Sequence, residues 1–160
     1  MDVIEKLIAG HREVKEYSDI SDKLAELINN DAFFWDNAVR VTKFFKKEVR
    51  EHFAIEESVL FPLLEKILPP DVLDNLSEIE NEHGPIIKKL DELDRISLQH
   101  LKYPSKTTRE LFVKVCGEII ELLLPHARRE DGDIFPAVRK IFSDANYREL
   151  ENLYFKYMES

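Results

Sequence analysis

The chain has 160 residues, of which 44% are hydrophobic and 34% are charged, a size and balance typical of one soluble domain. Its 32 acidic residues outnumber its 23 lysines and arginines, giving a net charge of −9, which argues against binding to nucleic acid and to anionic membranes. Cys116 is the only cysteine, so an internal disulfide is excluded. We expect it to be a small core residue in a cytoplasmic protein.

Helices are indicated along the whole chain, because apolar residues recur at alternating steps of three and four. Only four glycines and seven prolines interrupt this pattern. Asp31 is a predicted N-cap, Pro70 is expected to open a helix, and Ser143 is expected to cap the last one. The predicted helices cover residues 2–29, 32–68 and 71–101, a fourth from 106, and a short last one over 143–158.

Short connections between long helices place successive helices antiparallel. We therefore predict an all-α fold: an up-down-up-down antiparallel four-helix bundle with a short fifth C-terminal helix. Residues 1–142 would form the bundle, and residues 143–160 would pack on it or serve association. Pro62 is expected to kink or loosen the second helix. The fourth helix is expected to be irregular in its second half, near Pro125, Gly132 and Pro136.

Four of the five histidines lie on the inward stripes of the four predicted helices, one on each: His11, His52, His83 and His126. Counted from the turns at about 1.5 Å per residue, they fall at roughly one level of the bundle. His100 lies off its stripe at the end of the third helix and is predicted to be a surface residue.

The second and fourth helices contain an internal repeat, HFAIEESVLFP at 52–62 and HARREDGDIFP at 126–136. Each copy has a histidine, a glutamate four residues later, a second acid, and Phe-Pro at its end. Since residues i and i+4 share one helix face, each glutamate (Glu56, Glu130) projects inward with its histidine. The pattern therefore predicts two helical hairpins, each with a lone histidine followed by an H-x-x-x-E pair.

Four imidazoles and two carboxylates in one slice of an apolar core are costly to bury, by several kcal/mol for each unpaired carboxylate. A metal centre removes this cost, because cations accept the imidazole lone pairs and balance the carboxylates. Six ligands exceed the four of a tetrahedral zinc and suit two metals bridged by two carboxylates. Nitrogen and oxygen donors without thiolate fit iron, manganese or zinc. The alternative is a hydrogen-bonded polar layer that fixes the register of the bundle.

The ordered histidines and H-x-x-x-E pairs resemble the hemerythrin-like family, also called the HHE cation-binding domain, over residues 2–140. This resemblance implies a four-helix bundle with a non-haem di-iron centre that meets O₂, NO or peroxide. The implied cofactor is two iron ions with an oxo or hydroxo bridge, with zinc or manganese as alternatives. Carried over by position, the metal ligands would be His11, His52, Glu56, His83, His126 and Glu130, with the two glutamates bridging.

The chain departs from the oxygen-carrying hemerythrins at two places. Those proteins have a fifth histidine four residues from the third-helix histidine, where this chain has Ile79 and Ile87. The resemblance then implies an open or water-filled position on each metal. Hemerythrins also place an aspartate five residues after the last histidine, so Asp131 is an alternative ligand to Glu130.

Four further residues lie close to the predicted site. Glu48 and Glu80 are candidates for orienting the imidazoles, for extra ligands, or for exposed acids at a helix edge. Gly10 and Gly84 each adjoin a histidine, and leave room either for a small ligand or for close helix packing.

We expect a binding protein that takes up O₂ or NO for sensing, storage or delivery, rather than an enzyme. The alternative is a di-iron oxidoreductase, such as a peroxidase, an NO-consuming protein or an iron donor for repair, which the missing fifth histidine favours. A third hypothesis is a structural bundle locked by zinc. A protein partner or a homodimer contact would use the aromatic C-terminal helix.

Overall fold

The computed structural model describes residues 2–160; Met1, the first residue of the predicted bundle domain, lies outside the described residues. All regular structure in this range is helical. The α-helices are α1 (Val3–Glu26), α2 (Asp31–Lys43), α3 (Arg50–Ile55), α4 (Phe61–Ile67), α5 (Pro70–Asn81), α6 (His83–Lys102), α7 (Lys106–Arg129), α8 (Phe135–Ile141) and α9 (Asp144–Glu159). Three π-helical segments join some of them: Phe44–Val49, Glu56–Leu60 and Glu130–Ile134. The all-α class is thus confirmed, and no helix in the described range has the length and apolar character to cross a membrane.

Two of the π-helical segments are produced by the internal repeat. Glu56–Leu60 and Glu130–Ile134 are each followed at once by Phe-Pro, with Pro62 and Pro136 in the first turn of α4 and α8. A proline has no N–H, and its ring crowds the carbonyl four residues before it, so the preceding turn widens. The predicted loosening near these prolines is confirmed, whereas Pro125 lies inside α7 without ending it.

The third predicted helix is divided at Glu82, between α5 and α6. The prediction of one helix over 71–101 is wrong at this point, because Pro85 cannot donate to the carbonyl of Asn81 and crowds it. His83 therefore begins α6 instead of lying in the middle of a helix.

The helix ends lie close to the predicted residues, with one shift. Asn30 caps α2, its side-chain oxygen accepting a backbone N–H at 3.3 Å. The prediction of Asp31 as the cap is wrong by one residue. The carboxylate of Asp31 instead accepts a hydrogen bond from Arg109 at 2.8 Å. Ser143 caps α9 and Pro70 opens α5, as predicted.

The apolar core has two parts, separated by a polar layer. One part joins α1, α2, α6 and α7 and contains the fully buried Cys116, as predicted. The other part lies towards the opposite end, where α9 covers it with Leu150 and Tyr154. On α1 the change from one part to the other falls between Leu7 and Val14, which is where the first of the predicted ligand histidines lies.

His100 is buried, so the prediction of a surface residue is wrong. Its Nδ1 lies 2.6 Å from Oγ1 of Thr108, and its ring stacks on Trp35 with 4.0 Å between ring centroids. These neighbours come from α2 and α7, so the stripe of the third helix alone does not reveal the burial. Burial lowers the pKa of His100, an effect that Asp31 opposes and Arg109 reinforces.

We expect His100 to make the metal-free protein less stable as the pH falls. Because its pKa is lowered in the folded state, the unfolded chain takes up the proton first. The stability that neutral His100 contributes is therefore present above about pH 6.5 and is lost below it. The variant His100→Gln does not titrate, so wild type should lose more unfolding free energy than the variant between about pH 7.5 and 5.5. Urea denaturation at the two pH values measures this; an equal loss in both proteins would contradict it.

Candidate metal centre

The six predicted ligands lie together in one buried layer between the two parts of the core. Glu56 and Glu130 are the first residues of their π-helical segments and have no exposed surface. The imidazoles come from four helices: His11 from α1, His52 from α3, His83 from the start of α6, and His126 from α7.

The donor atoms of the layer form two groups, and within each group they lie no more than 4.8 Å apart. We call them the His11 trio (His11, His52, Glu130) and the His83 trio (Glu56, His83, His126). Each trio combines two histidines from one helical hairpin with the glutamate of the other. The layer therefore forms only when the two hairpins pack together.

Each glutamate approaches imidazoles of both trios. Oε1 of Glu130 lies 3.4 Å from Nε2 of His11, in its own trio, and 3.1 Å from Nε2 of His126, in the other. Oε1 of Glu56 lies 3.5 Å from Nε2 of His83, in its own trio, and 3.4 Å from Nε2 of His52, in the other. Each glutamate therefore lies between the two trios.

The layer contains buried polar atoms without hydrogen-bond partners: both carboxylate oxygens of Glu56 and of Glu130, and Nε2 of His83 and of His126. Such atoms are rare in proteins because each costs free energy that water would otherwise supply. Carboxylate oxygens and imidazole nitrogens are also the donors that divalent transition metals accept. The residues present therefore fit a pair of bound cations.

Burial changes the proton affinity of these groups. It raises the pKa of Glu56, and it lowers the pKa of His126 to about 3, with the nearby histidines adding to the effect. It also lowers the pKa of His52 well below 6.5. Desolvation opposes the charged form of His83 too, but the nearby carboxylates of Glu56 and Glu57 raise its pKa overall. At neutral pH, His52 and His126 are therefore neutral imidazoles, each with one nitrogen lone pair free to bind a metal.

Three of the imidazoles are held from outside by a carboxylate at Nδ1. The pairs are His11 with Asp131 at 2.8 Å, His83 with Glu57 at 2.8 Å, and His126 with Glu82 at 3.1 Å. A carboxylate in this position fixes the ring and keeps the proton on Nδ1, which leaves the lone pair of Nε2 directed into the layer.

The sequence interpretation missed these outer carboxylates. Asp131 lies outside the layer, whereas Glu130 faces into it, so the two residues do not compete for one position. Glu57 and Asp131 occupy the same place in the internal repeat, and this shared acid was the signal that could have identified them. Glu48 and Glu80 make no hydrogen bond to an imidazole within residues 2–160.

A helical bundle that buries four imidazoles and two carboxylates between two apolar clusters belongs, by its donor set, to the cation-binding bundle proteins. The family model of the hemerythrin HHE cation binding domain matches residues 2–139, and the chain belongs to this family. No curated protein and no solved structure shows significant similarity to the chain.

The variant Glu56→Met should have opposite effects on stability and on metal binding. It removes a buried carboxylate that accepts no hydrogen bond, so the unfolding free energy of the metal-free protein should rise by about 1–3 kcal/mol. It also removes a donor from the layer, so fewer than two cations should bind per chain. Urea denaturation and elemental analysis measure the two effects.

The matched control is Glu121→Met, which replaces an exposed glutamate on α7. It should leave the metal content unchanged and alter stability by no more than about 0.5 kcal/mol. A loss of stability in metal-free Glu56→Met would show that the carboxylate is satisfied in the folded protein, and would contradict the prediction.

Proposed function

We propose that this protein binds two iron ions in the layer formed by the His11 and His83 trios, and that the pair takes up O₂ or NO for sensing, storage or delivery. The observation that carries the proposal is the set of buried donor atoms without partners. One ion would be held by His11, His52 and Glu130, the other by Glu56, His83 and His126, with the two glutamates shared.

The chain's own residues suit the uptake of a diatomic ligand. Bound ferrous ions would supply the electrons that this chemistry needs. Leu7, Ile86 and Leu123 are buried one turn from the ligands, and such apolar walls exclude water and protons. Ile79 and Ile87 stand where a further histidine would be, so each ion keeps a position for an added ligand.

The proposal includes the arrangement of the chain around the layer. The four long helical segments would run up-down-up-down, with residues 1–142 as the metal-binding unit. The last helix, α9, would cover the bundle through its buried Leu150 and Tyr154. Its exposed Phe155 and Met158 would contact a protein partner or a second copy of the chain. The single, buried cysteine supports a cytoplasmic location.

A second candidate function is a di-iron oxidoreductase that reduces peroxide, consumes NO or donates iron for repair. The observation that favours it is a cavity of about 420 Å³ beside His11 and His52. This volume is many times the roughly 30 Å³ that a water molecule occupies in the liquid, and so exceeds what a diatomic ligand needs.

The spectrum of the iron-loaded protein tests these functions. Protein loaded with ferrous iron without air should bind two ions per chain and develop a charge-transfer band on exposure to O₂. If the band disappears on degassing, the binding function is supported. A band that persists would contradict reversible binding and favour the oxidoreductase. Binding of zinc but not of ferrous iron would contradict both and favour a structural bundle.

Metal content tests the ligand set independently of O₂. The variants His11→Ala and Glu130→Ala each remove one donor, and each should lower the metal content from two ions to about one or fewer per chain. His100→Gln is the control, since this buried histidine lies outside both trios, and it should keep two ions. Full loading of both ligand variants would show that the ligand set is wrong.

A further inference from the structure

The internal repeat surrounds the layer almost symmetrically. Its two Phe-Pro phenylalanines stack on the two lone histidines at nearly equal distances: 5.8 Å between ring centroids for Phe61 and His83, and 5.7 Å for Phe135 and His11. The outer carboxylates of these two histidines also match. Differences at other corresponding positions of the two hairpins therefore distinguish one side of the layer from the other.

The residue before each lone histidine is the first such departure. Glu82 approaches Nδ1 of His126 and accepts from Nε of Arg129, also at 3.1 Å. Its counterpart in the first hairpin is Gly10, and a Cβ placed there would lie 3.0 Å from Nδ1 of His52. Gly10 thus occupies the same place beside its histidine but brings no carboxylate and no side chain.

The residue after each repeat histidine is the second departure. Phe53 stacks on His83 with 3.9 Å between ring centroids and covers that ring, whereas its counterpart in the other copy is only Ala127. The exposure of the imidazole side chains follows the difference: 7% for His11, 13% for His52, 3% for His83 and 1% for His126.

A cavity of about 420 Å³ lies where these two small residues stand, with both Gly10 and Ala127 in its wall. It reaches His11, His52 and also His126, of which His126 is the least exposed, at 1% against 7% and 13%. Its volume is in the range of pockets that hold small organic molecules. Apolar side chains line the inner part, among them Val14, Val49 and Leu123. The cavity therefore offers a surface for the apolar body of a ligand beside the donors of the His11 trio.

The mouth of the cavity carries charges of both signs: Lys6, Lys47, Glu13, Glu48 and Glu51. This mixture favours no strongly charged ligand, so a neutral one fits best. A second cavity, of about 530 Å³, touches the layer only at His11, where Asp131 already holds the outer nitrogen. The first cavity is thus the one that gives access to the trio.

We propose that the cavity beside Gly10 and Ala127 binds a small neutral molecule with an apolar body and one donor atom, and presents that donor to the His11 trio. The His83 trio takes no such ligand, because Phe53 covers the ring of His83 and the side chain of His126 is only 1% exposed. The proposal rests on the metal-binding function above, but not on the metal being iron nor on O₂ or NO.

Cobalt(II) provides the test, since its visible absorption changes when a further ligand coordinates. Protein loaded with cobalt(II) is titrated with imidazole and with 4-phenylimidazole, which share the donor ring and differ in the apolar body. Burial of the phenyl group in the cavity should make 4-phenylimidazole bind at least about tenfold more tightly. Equal affinities would overturn the proposal of an organic ligand.

Two variants should close the cavity, because each introduces the residue found at the corresponding position of the other hairpin. Gly10→Glu supplies a carboxylate to His52, and Ala127→Phe supplies a ring. Each should weaken 4-phenylimidazole by about tenfold or more while the protein keeps two cobalt ions per chain. The control is Gly84→Ala, because a Cβ there meets nothing within 4 Å, and its affinity should equal that of wild type.

The milder variant Gly10→Ala keeps the test decisive if a larger side chain prevents folding. Its Cβ displaces the ring of His52 by a few tenths of an ångström at most, and it should weaken 4-phenylimidazole more than Gly84→Ala does. Unchanged affinity in all the folded variants would overturn the cavity proposal. Fewer than two cobalt ions in the wild-type protein would instead overturn the proposed metal-binding function.

Discussion

The burial of Glu56 and Glu130 is the constraint on which the rest of the structure depends. Neither side chain has exposed surface, and neither carboxylate has a hydrogen-bond partner. Each such group costs a sizeable part of the 5–15 kcal/mol by which a domain is stable. A sequence retains a group of this kind when a bound cation compensates it. The apolar clusters on either side then serve to keep the layer dry, which strengthens every charge interaction within it.

The prolines of the repeat connect the sequence to the geometry of the layer. In both copies the ligand glutamate is the first residue of a π-helical segment, and Phe-Pro follows that segment directly. A wider turn changes the direction of the side chains that follow it, and π-helical turns are frequent at functional sites. Glu57 and Asp131, the second residues of these segments, consequently reach outward to the lone histidines of the opposite hairpins.

The sequence predicts those parts of the site that depend on one helix at a time. Spacing within a helix identified the four histidines and two glutamates of the layer, because i and i+4 positions share a face. The contact of Asp131 with His11 spans 120 residues and depends on how two hairpins rotate against each other, which spacing does not determine. The prediction that His100 is exposed is wrong for the same reason, since the residues that bury it, Trp35 and Thr108, belong to other helices.

In the proposed function a duplicated hairpin supplies two equivalent metal positions, and identical surroundings would give both cations the same chemistry. Here the ligands are equivalent but their surroundings are not, because Glu82 and Phe53 in one half correspond to Gly10 and Ala127 in the other. A carboxylate at Nδ1 makes an imidazole a better donor. Within residues 2–160, His52 of the His11 trio is the one imidazole of the layer without such a carboxylate, so the His11 trio would hold its cation with one weaker imidazole. The cavity reaches both imidazoles of the His11 trio, but only His126 of the other trio, whose side chain is 1% exposed. Under the proposed function, less donation and more access would both favour an added ligand at the His11 trio over one at the His83 trio. Gly10 and Ala127, which bind no metal, would thus make the two cations unequal.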